Sequence, residues 1–228
     1  MRELGFKRNA LRNPAGSCLV GFGNTQVMCS ASIDRSVPSF LRDTGNGWIT
    51  AEYAMLPGST PGGRKRREIG KPDGRSTEIQ RLVGRSLRAA VDMTKLGEVS
   101  ITIDCDVIEA DGGTRTAAIS GGWVALYDAL STLAADSGLS GADYYLLGQV
   151  AAVSVGIVGG RIVCDLDYEH DSQAEVDMNV VKRDEDLVEV QGTGERGVFT
   201  REELNRLMDT ADGGITEIHA AQRAALEL

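Results

Sequence analysis

The chain has 228 residues, of which 42% are hydrophobic and 25% are charged, and its formal net charge is −9. This composition is typical of a water-soluble globular protein, and the acidic charge argues against a generic nucleic-acid-binding protein. No apolar run is long enough to span a bilayer. Residues 1–14 lack the apolar core of a signal peptide, so we expect a cytoplasmic protein with no membrane partner.

The cysteines lie far apart in apolar, strand-like segments, which predicts buried reduced thiols rather than disulfides or a zinc site. The two histidines offer little material for a histidine-based metal site or catalytic triad. The cysteines are Cys18, Cys29, Cys105 and Cys164.

The first part of the chain predicts strands followed by a helix. Residues 17–22 and 25–30 flank Gly23-Asn24, which indicates a β-hairpin, and residues 48–55 indicate another strand. Residues 77–96 carry apolar side chains at helical spacing, which predicts an amphipathic helix that begins with a capping box of Thr77 and Gln80.

A basic segment between residues 64 and 88 interrupts this acidic chain. It contains nine basic and three acidic residues, so its net charge is +6 and the rest of the chain carries −15. A local basic field can bind a polyanion, but a solvated loop and a helix with ordinary ion pairs would explain the same charges. The basic residues are Arg64, Lys65, Arg66, Arg67, Lys71, Arg75, Arg81, Arg85 and Arg88.

Residues 101–118 predict an anion site. Apolar and polar side chains alternate over residues 101–107, which indicates a half-buried strand, and an apolar helix follows from residue 117 to 133. Between them, Gly112 and Gly113 permit a sharp turn, after which the helix N-terminus, Arg115 and the hydroxyls of Thr114 and Thr116 could converge on a phosphate. An ordinary strand-to-helix turn with Thr114 as its N-cap would explain the same pattern.

The second half continues the interleaving of strands and helices. Residues 151–158 and 161–166 indicate a hairpin, and residues 174–182 and 187–191 indicate two more strands. A C-terminal helix begins with a capping box of Thr200 and Glu203, and Gly213-Gly214 bend it without ending it. We therefore predict one compact α+β domain over residues 1–228, with helices packed on mixed β-sheets.

An acidic stretch precedes and enters one of these strands. Asp171 falls in a predicted turn and Asp177 in a strand, six residues apart. Carboxylates held together beside a phosphate site can bind a divalent cation or act as a general acid. An acidic turn that leads into a solvated edge strand would explain the same residues.

Several long motifs follow one another along the chain: GWITAEY (residues 47–53), GRSTEIQRLVGRSLRA (74–89), IDCDVIEADGGTRTAAISG (103–121), DSQAEVDMN (171–179) and QGTGE (191–195). Taken in this order, they resemble the RNase PH family of phosphate-dependent 3′-to-5′ exoribonucleases that trim tRNA precursors. The similarity extends from about residue 15 to the C-terminus, and the N-terminus is shorter than the usual family pattern.

The resemblance implies the fold and the site residues. It implies the RNase PH fold, shared with polynucleotide phosphorylase and the exosome core, and assembly as a homohexameric ring, a trimer of dimers. By motif, phosphate binding falls on Arg75, Gly113, Thr114 and Arg115, and catalysis or metal binding falls on Asp171 and Asp177. The family position that presents arginines to the tRNA body corresponds to Arg64, Lys65, Arg66 and Arg67.

The resemblance also implies the reaction. Inorganic phosphate, the co-substrate, would cleave the last phosphodiester of tRNA precursors and other RNA 3′ ends and release nucleoside diphosphates, with Mg²⁺ as the expected metal. The reaction would be reversible. The alternative is a catalytically silent or weak RNA-binding ring subunit of an exosome-like assembly, although the chain keeps both the arginines and the aspartates. A P-loop protein would need a lysine that the turn DGGTRT lacks.

Overall fold

The computed structural model describes residues 1–64, 66 and 73–228, and within them nine strands form two sheets around which five α-helices pack. The strands are β1 (Leu4–Arg8), β2 (Gly16–Phe22), β3 (Thr25–Asp34), β4 (Trp48–Met55), β5 (Ser100–Glu109), β6 (Val150–Val158), β7 (Arg161–Cys164), β8 (Val176–Arg183) and β9 (Asp186–Gly194). The helices are α1 (Gly74–Arg88), α2 (Met93–Leu96), α3 (Thr114–Asp136), α4 (Tyr168–Gln173) and α5 (Arg201–Leu226).

The two sheets differ in topology. The first has the order β1-β2-β3-β5-β4 and is mixed, because β4 runs parallel to β5 while the other pairs are antiparallel. Parallel neighbours need a crossover, which the chain makes through α1 between β4 and β5. The second has the order β7-β6-β8-β9 and is antiparallel. The α+β prediction is confirmed.

Helix α3 lies between the sheets and contacts β2 and β3 of the first and β6 of the second. It fits there because it is apolar on nearly every side. Gly121 allows the close approach, since a Cβ atom at this position would lie 2.4 Å from Cγ1 of Val20. Buried apolar residues of both sheets form one cluster with α3. The assignment of residues 1–228 to a single domain stays a prediction.

The helix predicted over residues 77–96 is divided into two. Helix α1 begins earlier, because Asp73 caps it by accepting a hydrogen bond of 2.6 Å from the backbone nitrogen of Ser76, so the capping box at Thr77 was wrong. Helix α1 ends at Arg88, Val91 forms a bridge with Leu146, and a new helix begins after the cap Asp92. Tertiary pairing therefore overrides the continuous helical pattern.

Two predicted strands also change their ends for local reasons. The strand predicted over residues 161–166 ends at Cys164, because Asp165 adopts a left-handed conformation with φ of 60°. The strand predicted from residue 174 begins at Val176, because Ala174 ends helix α4. The hairpin at Gly23-Asn24 and the strand Trp48–Met55 are confirmed.

The C-terminal helix α5 packs on β6 and β1. Its capping box is confirmed: the Thr200 backbone nitrogen donates to Glu203 Oε2 at 2.7 Å, and the Glu203 nitrogen donates to Thr200 Oγ1 at 3.2 Å. The helix continues through Gly213-Gly214. The four cysteines are free thiols, and burial raises the pKa of Cys18 to about 12. No helix in the described residues is long and apolar enough to cross a membrane.

Candidate active site

A cavity of about 350 Å³ lies where the turn between β5 and α3 meets the second sheet. Its wall is built by the first turn of α1, the start of α3, helix α4 and strand β8, which come from both halves of the chain. The six residues predicted for phosphate binding and catalysis all line it: Arg75, Gly113, Thr114, Arg115, Asp171 and Asp177.

The turn before α3 depends on two glycines in the left-handed region. Gly112 has φ of 74° and Gly113 has φ of 64°. A Cβ atom on Gly112 would lie 2.4 Å from the Leu166 carbonyl oxygen, so no other residue fits there without movement. Gly113, not Thr114, is the N-cap residue, and it brings no side-chain cap to the helix. The first turn of α3 therefore has no side-chain cap, and it lies at the wall of the cavity with the positive end of the helix dipole.

The two threonines of the turn have different roles. The Thr114 hydroxyl accepts a hydrogen bond of 2.9 Å from the buried Tyr53 phenol and lines the cavity. The Thr116 hydroxyl instead donates to the Gly113 carbonyl at 2.9 Å and is buried. The expectation that both hydroxyls converge on one anion is therefore wrong for Thr116, because a backbone acceptor within its own turn occupies it.

The two arginines approach the cavity from different helices. Arg75 is exposed in the first turn of α1, and Arg115 is in the first turn of α3 with 22% of its side chain exposed. Arg115 Nη1 lies 3.8 Å from Glu78 Oε2, a loose ion pair that leaves guanidinium N–H groups for a ligand. Two cations beside a helix N-terminus form a strongly anion-attracting wall.

Asp171 and Asp177 face these arginines from α4 and β8. Burial, reinforced by the charge of Asp171, raises the pKa of Asp177 to about 6, against the opposing effect of Arg115. Burial also raises the pKa of Asp171, while Arg75 and Arg115 oppose the rise. Glu195 adds negative charge to both. A carboxyl group with a pKa near 6 can carry a proton close to neutral pH.

Asp171 and Asp177 could hold Mg²⁺ only if most of its other ligands came from substrate and water. No group of three histidine, cysteine, aspartate or glutamate side chains among the described residues could hold a metal ion by itself. Mg²⁺ at phosphoryl-transfer sites commonly uses one or two carboxylates together with substrate phosphates and water. Asp171 and Asp177 meet this requirement, because both carboxylates line the cavity and the charge of Asp171 acts on Asp177.

Several residues around the cavity were not predicted from the sequence. Tyr53 lies behind Thr114, and Asn179 lines the cavity beside Asp177. Asn179 could have been found, because residues two apart on a strand share a face. Ser154 and Tyr168 also line the cavity, but the Ser154 hydroxyl accepts from the Leu166 backbone nitrogen at 3.0 Å and so helps to hold the wall.

The basic segment divides into separate parts. Arg64 and Arg66 are exposed and do not line the cavity, and Lys65 and Arg67 lie outside the described residues. Farther along, Arg85 pairs with Glu189 at 2.8 Å, and Arg88 lies 4.4 Å from the centre of the Trp48 ring and donates to a backbone carbonyl. These last two arginines hold elements of the chain together.

Two family models match the sequence. The model for the 3′ exoribonuclease family, domain 1, matches residues 1–131, and the model for domain 2 of the same family matches residues 148–214. Ribonuclease PH of Corynebacterium glutamicum (strain R) is 56% identical over 229 residues, which cover 99% of this chain and 92% of that protein. Ribonuclease PH of Corynebacterium diphtheriae is 54% identical over 228 residues, which cover 100% of this chain and 94% of that protein.

Solved structures share the fold. Rrp46 of rice (Oryza sativa) aligns over 99% of this chain and 95% of its own with a TM-score of 0.79 and 16% identity. A chain of the Archaeoglobus fulgidus exosome with RNA bound to the active site aligns over 99% of this chain and 88% of its own with a TM-score of 0.75 and 23% identity. At these identities the likeness concerns the fold.

Proposed function

This chain belongs to the 3′ exoribonuclease family, and we propose that it shortens RNA from the 3′ end by phosphorolysis, with tRNA precursors as its main substrates. It is a phosphate-dependent nucleotidyltransferase, as its relatives named Ribonuclease PH at 54–56% identity support. The observation that carries the proposal is the cavity in which two arginines and a helix N-terminus face two carboxyl groups with raised pKa values.

Orthophosphate would bind against Arg75, Arg115, the Thr114 hydroxyl and the first N–H groups of α3. There it lies in line with the last phosphodiester of an RNA 3′ end. An oxygen of the phosphate attacks the phosphorus, the bond to the 3′ oxygen of the preceding nucleotide breaks, and a nucleoside 5′-diphosphate leaves. Positioning and charge neutralisation supply most of the catalysis in such transfers.

Asp177 would give a proton to the departing 3′ oxygen. Its pKa of about 6 leaves a useful protonated fraction near neutral pH. The proton that hydrogen phosphate loses in the reaction restores the acid, so the step balances. Because a phosphoanhydride replaces a phosphodiester of comparable energy, the same residues would add nucleotides when diphosphates are in excess.

In a second form of the mechanism, Asp171 and Asp177 would both be ionised and would hold Mg²⁺ together with substrate phosphates, in place of proton donation by Asp177. When bound, the ion would neutralise phosphate charge at the acidic wall of the cavity. Without the ion, the substrate phosphates would meet the negative charges of both carboxylates, of which Asp171 is the more exposed.

Arg64, Lys65, Arg66 and Arg67 would contact the tRNA body outside the cavity. The exposure of Arg64 and Arg66 supports this role. A homohexameric ring and a cytoplasmic location complete the proposal. The assembly part of the proposal is supported by one structural neighbour that is a chain of an exosome.

The deciding experiment is to incubate the protein with an RNA oligonucleotide with and without orthophosphate and to identify the products by chromatography. We expect phosphate-dependent shortening and nucleoside 5′-diphosphates. Monophosphates released equally well without phosphate would indicate hydrolysis and overturn the proposal. No shortening, with RNA still bound, would favour the silent ring subunit.

A further inference from the structure

Arg2 forms a buried ion pair beneath the phosphate turn. Its Nε donates to Asp165 Oδ2 at 2.9 Å and its Nη2 donates to Asp165 Oδ1 at 2.5 Å, so the pair is bidentate. The Asp165 side chain is fully buried, and that of Arg2 is 16% exposed. The remaining nitrogen, Nη1, donates to the Asp111 carbonyl at 2.5 Å. One guanidinium therefore joins the end of β7 to the residue that opens the turn.

The pair lies directly against Gly113. A Cβ atom placed on Gly113 would lie 3.0 Å from Arg2 Nη2 and 3.6 Å from Asp165 Oδ1. The Gly113 carbonyl accepts the first helical hydrogen bond of α3, from Ala117 at 3.0 Å. The ion pair therefore packs against the residue from which the anion-binding end of α3 begins.

Thr25 holds the same turn from the other side. Its buried hydroxyl accepts from the Asp111 backbone nitrogen at 2.9 Å and donates to the Gly112 carbonyl at 2.6 Å. Arg2 and Thr25 thus satisfy three backbone groups of the turn between them: the N–H and carbonyl of Asp111 and the carbonyl of Gly112. Groups of this kind do not bind substrate, but they restrict where the helix N–H groups point.

The Asp111 carboxylate extends the connection to the catalytic side. Its Oδ1 accepts from the Tyr168 backbone nitrogen at 3.2 Å, at the start of the helix that carries Asp171. The turn that faces phosphate and the helix that carries an aspartate therefore share one anchored residue.

We propose that Arg2, Asp165 and Thr25 are positioning residues that set the geometry of the phosphate-binding turn. This inference rests on the proposed function. Misplacement of reacting groups by about 1 Å can lower rates by roughly a hundredfold, so an anchor outside the cavity can control the use of phosphate. Loss of the anchor weakens phosphate binding more than RNA binding, because the RNA body contacts other surfaces.

The chain offers a matched control in Arg8. Arg8 also makes a bidentate pair with a buried carboxylate, Asp128, with Nη2 to Oδ1 at 2.6 Å, and its Nη1 also donates to a backbone carbonyl, that of Ala225. This second pair joins β1 to α3 and α5 and does not line the cavity. A variant without Arg8 therefore loses a similar buried ion pair but keeps every contact of the turn before α3.

The experiment compares Arg2→Ala, Arg2→Lys and Arg8→Ala with wild type in phosphorolysis, well below the melting temperature of each protein. We expect Arg2→Ala to raise the KM for orthophosphate about tenfold or more, to change the KM for RNA by less than about twofold, and to be partly rescued in Arg2→Lys. Arg8→Ala should lower the melting temperature comparably and leave the KM for phosphate within about twofold. Equal changes in both alanine variants would overturn the positioning role.

A second pair of variants keeps the test decisive if Arg2→Ala does not fold. Thr25→Val removes both hydrogen bonds to the turn at nearly constant volume, and Thr25→Ser retains them. A rise in the KM for phosphate in Thr25→Val but not in Thr25→Ser supports the inference, and equal values in the two contradict it. Wild-type protein that releases no nucleoside diphosphate would remove the proposed function and this inference together, whereas the variant results bear on the inference alone.

Discussion

The Tyr53 phenol donates a hydrogen bond of 2.9 Å to Thr114 Oγ1 behind the phosphate wall. Because the Thr114 oxygen accepts this bond, its own proton is directed elsewhere, and the cavity is the open direction. Tyr53 is buried, which raises the pKa of its phenol and keeps it a donor at neutral pH.

We therefore expect Tyr53→Phe to raise the KM for orthophosphate by about three- to tenfold, as the loss of one hydrogen bond implies. Initial rates at varied phosphate and saturating RNA measure this. Thr114→Val should give a similar KM, and the double variant should add little, because both changes remove the same oriented hydroxyl. Additive effects would show that Tyr53 acts in another way.

Arg115 and Glu78 should have opposite effects on phosphate. Arg115→Ala removes a charged donor and should raise the KM for phosphate by roughly ten- to a hundredfold. Glu78→Gln releases Arg115 from its 3.8 Å ion pair and should lower that KM by up to about fivefold, the limit for a partly exposed pair. Phosphate titrations at fixed ionic strength test both variants, and a raised KM in Glu78→Gln would contradict this relationship.

Asp177→Asn should lower the activity of the protein and raise its stability. We expect kcat to fall by about a hundredfold or more if the residue is the acid, with RNA affinity nearly unchanged. The same variant should be more stable than wild type at pH 7.5 by roughly 1–2 kcal/mol, because it removes a buried charge. Single-turnover kinetics and binding isotherms measure the first effect, and wild-type activity in the variant would remove Asp177 from the mechanism.

The pH dependence of stability gives an independent check. The pKa of Asp177 rises from an ordinary value of 3.8 to about 6 on folding, so the folded state binds more protons than the unfolded state between these values. The contribution of Asp177 to stability is fully present below about pH 4 and is lost as the pH rises through about 6. Urea unfolding of wild type and Asp177→Asn in EDTA from pH 4.5 to 8 should show a smaller decline in the variant. Parallel curves would contradict the raised pKa.

Gly112→Ala should be much more damaging than its backbone conformation alone predicts. Gly112 and Gly45 have nearly equal φ values, 74° and 73°. A Cβ atom on Gly112 would lie 2.4 Å from the Leu166 carbonyl oxygen, whereas the space around Gly45 is open. Gly45→Ala should cost about 1–2 kcal/mol of unfolding free energy, the penalty of a left-handed alanine. Gly112→Ala should cost more and also abolish phosphate binding. Equal losses in urea unfolding would show that the turn accommodates a side chain.

The basic residues 64–67 should affect folded substrates only. Changing Arg64, Lys65, Arg66 and Arg67 to alanine should leave phosphorolysis of a short single strand nearly unchanged. Binding of a tRNA precursor should weaken, and the slope of log K against log salt should fall by up to about one unit for each RNA phosphate that the variant no longer neutralises. Sedimentation must accompany the binding measurements. Wild-type affinity and salt slope would indicate a solvated loop, and dissociation with loss of activity on both substrates would indicate a role in assembly.

Much of the local structure followed from the sequence because its causes are local. The strand Trp48–Met55 and the capping box of Thr200 and Glu203 have the predicted bounds, since alternation and capping depend on residues a few positions apart. The glycine pair before α3 was predicted for the same reason. The family motifs predicted as site residues two arginines and two aspartates that line the cavity.

The tertiary structure decided which of these groups meet and in what state. Arg75 and Asp177 line one cavity although about a hundred residues separate them, and the ion pair of Arg2 and Asp165 spans 163 positions. Thr116 is turned to a backbone carbonyl, and the pKa of Asp177 rises through burial. Burial and long-range pairing arise only when α3 packs between the two sheets, because desolvation depends on every element around a group and not on its neighbours in the chain.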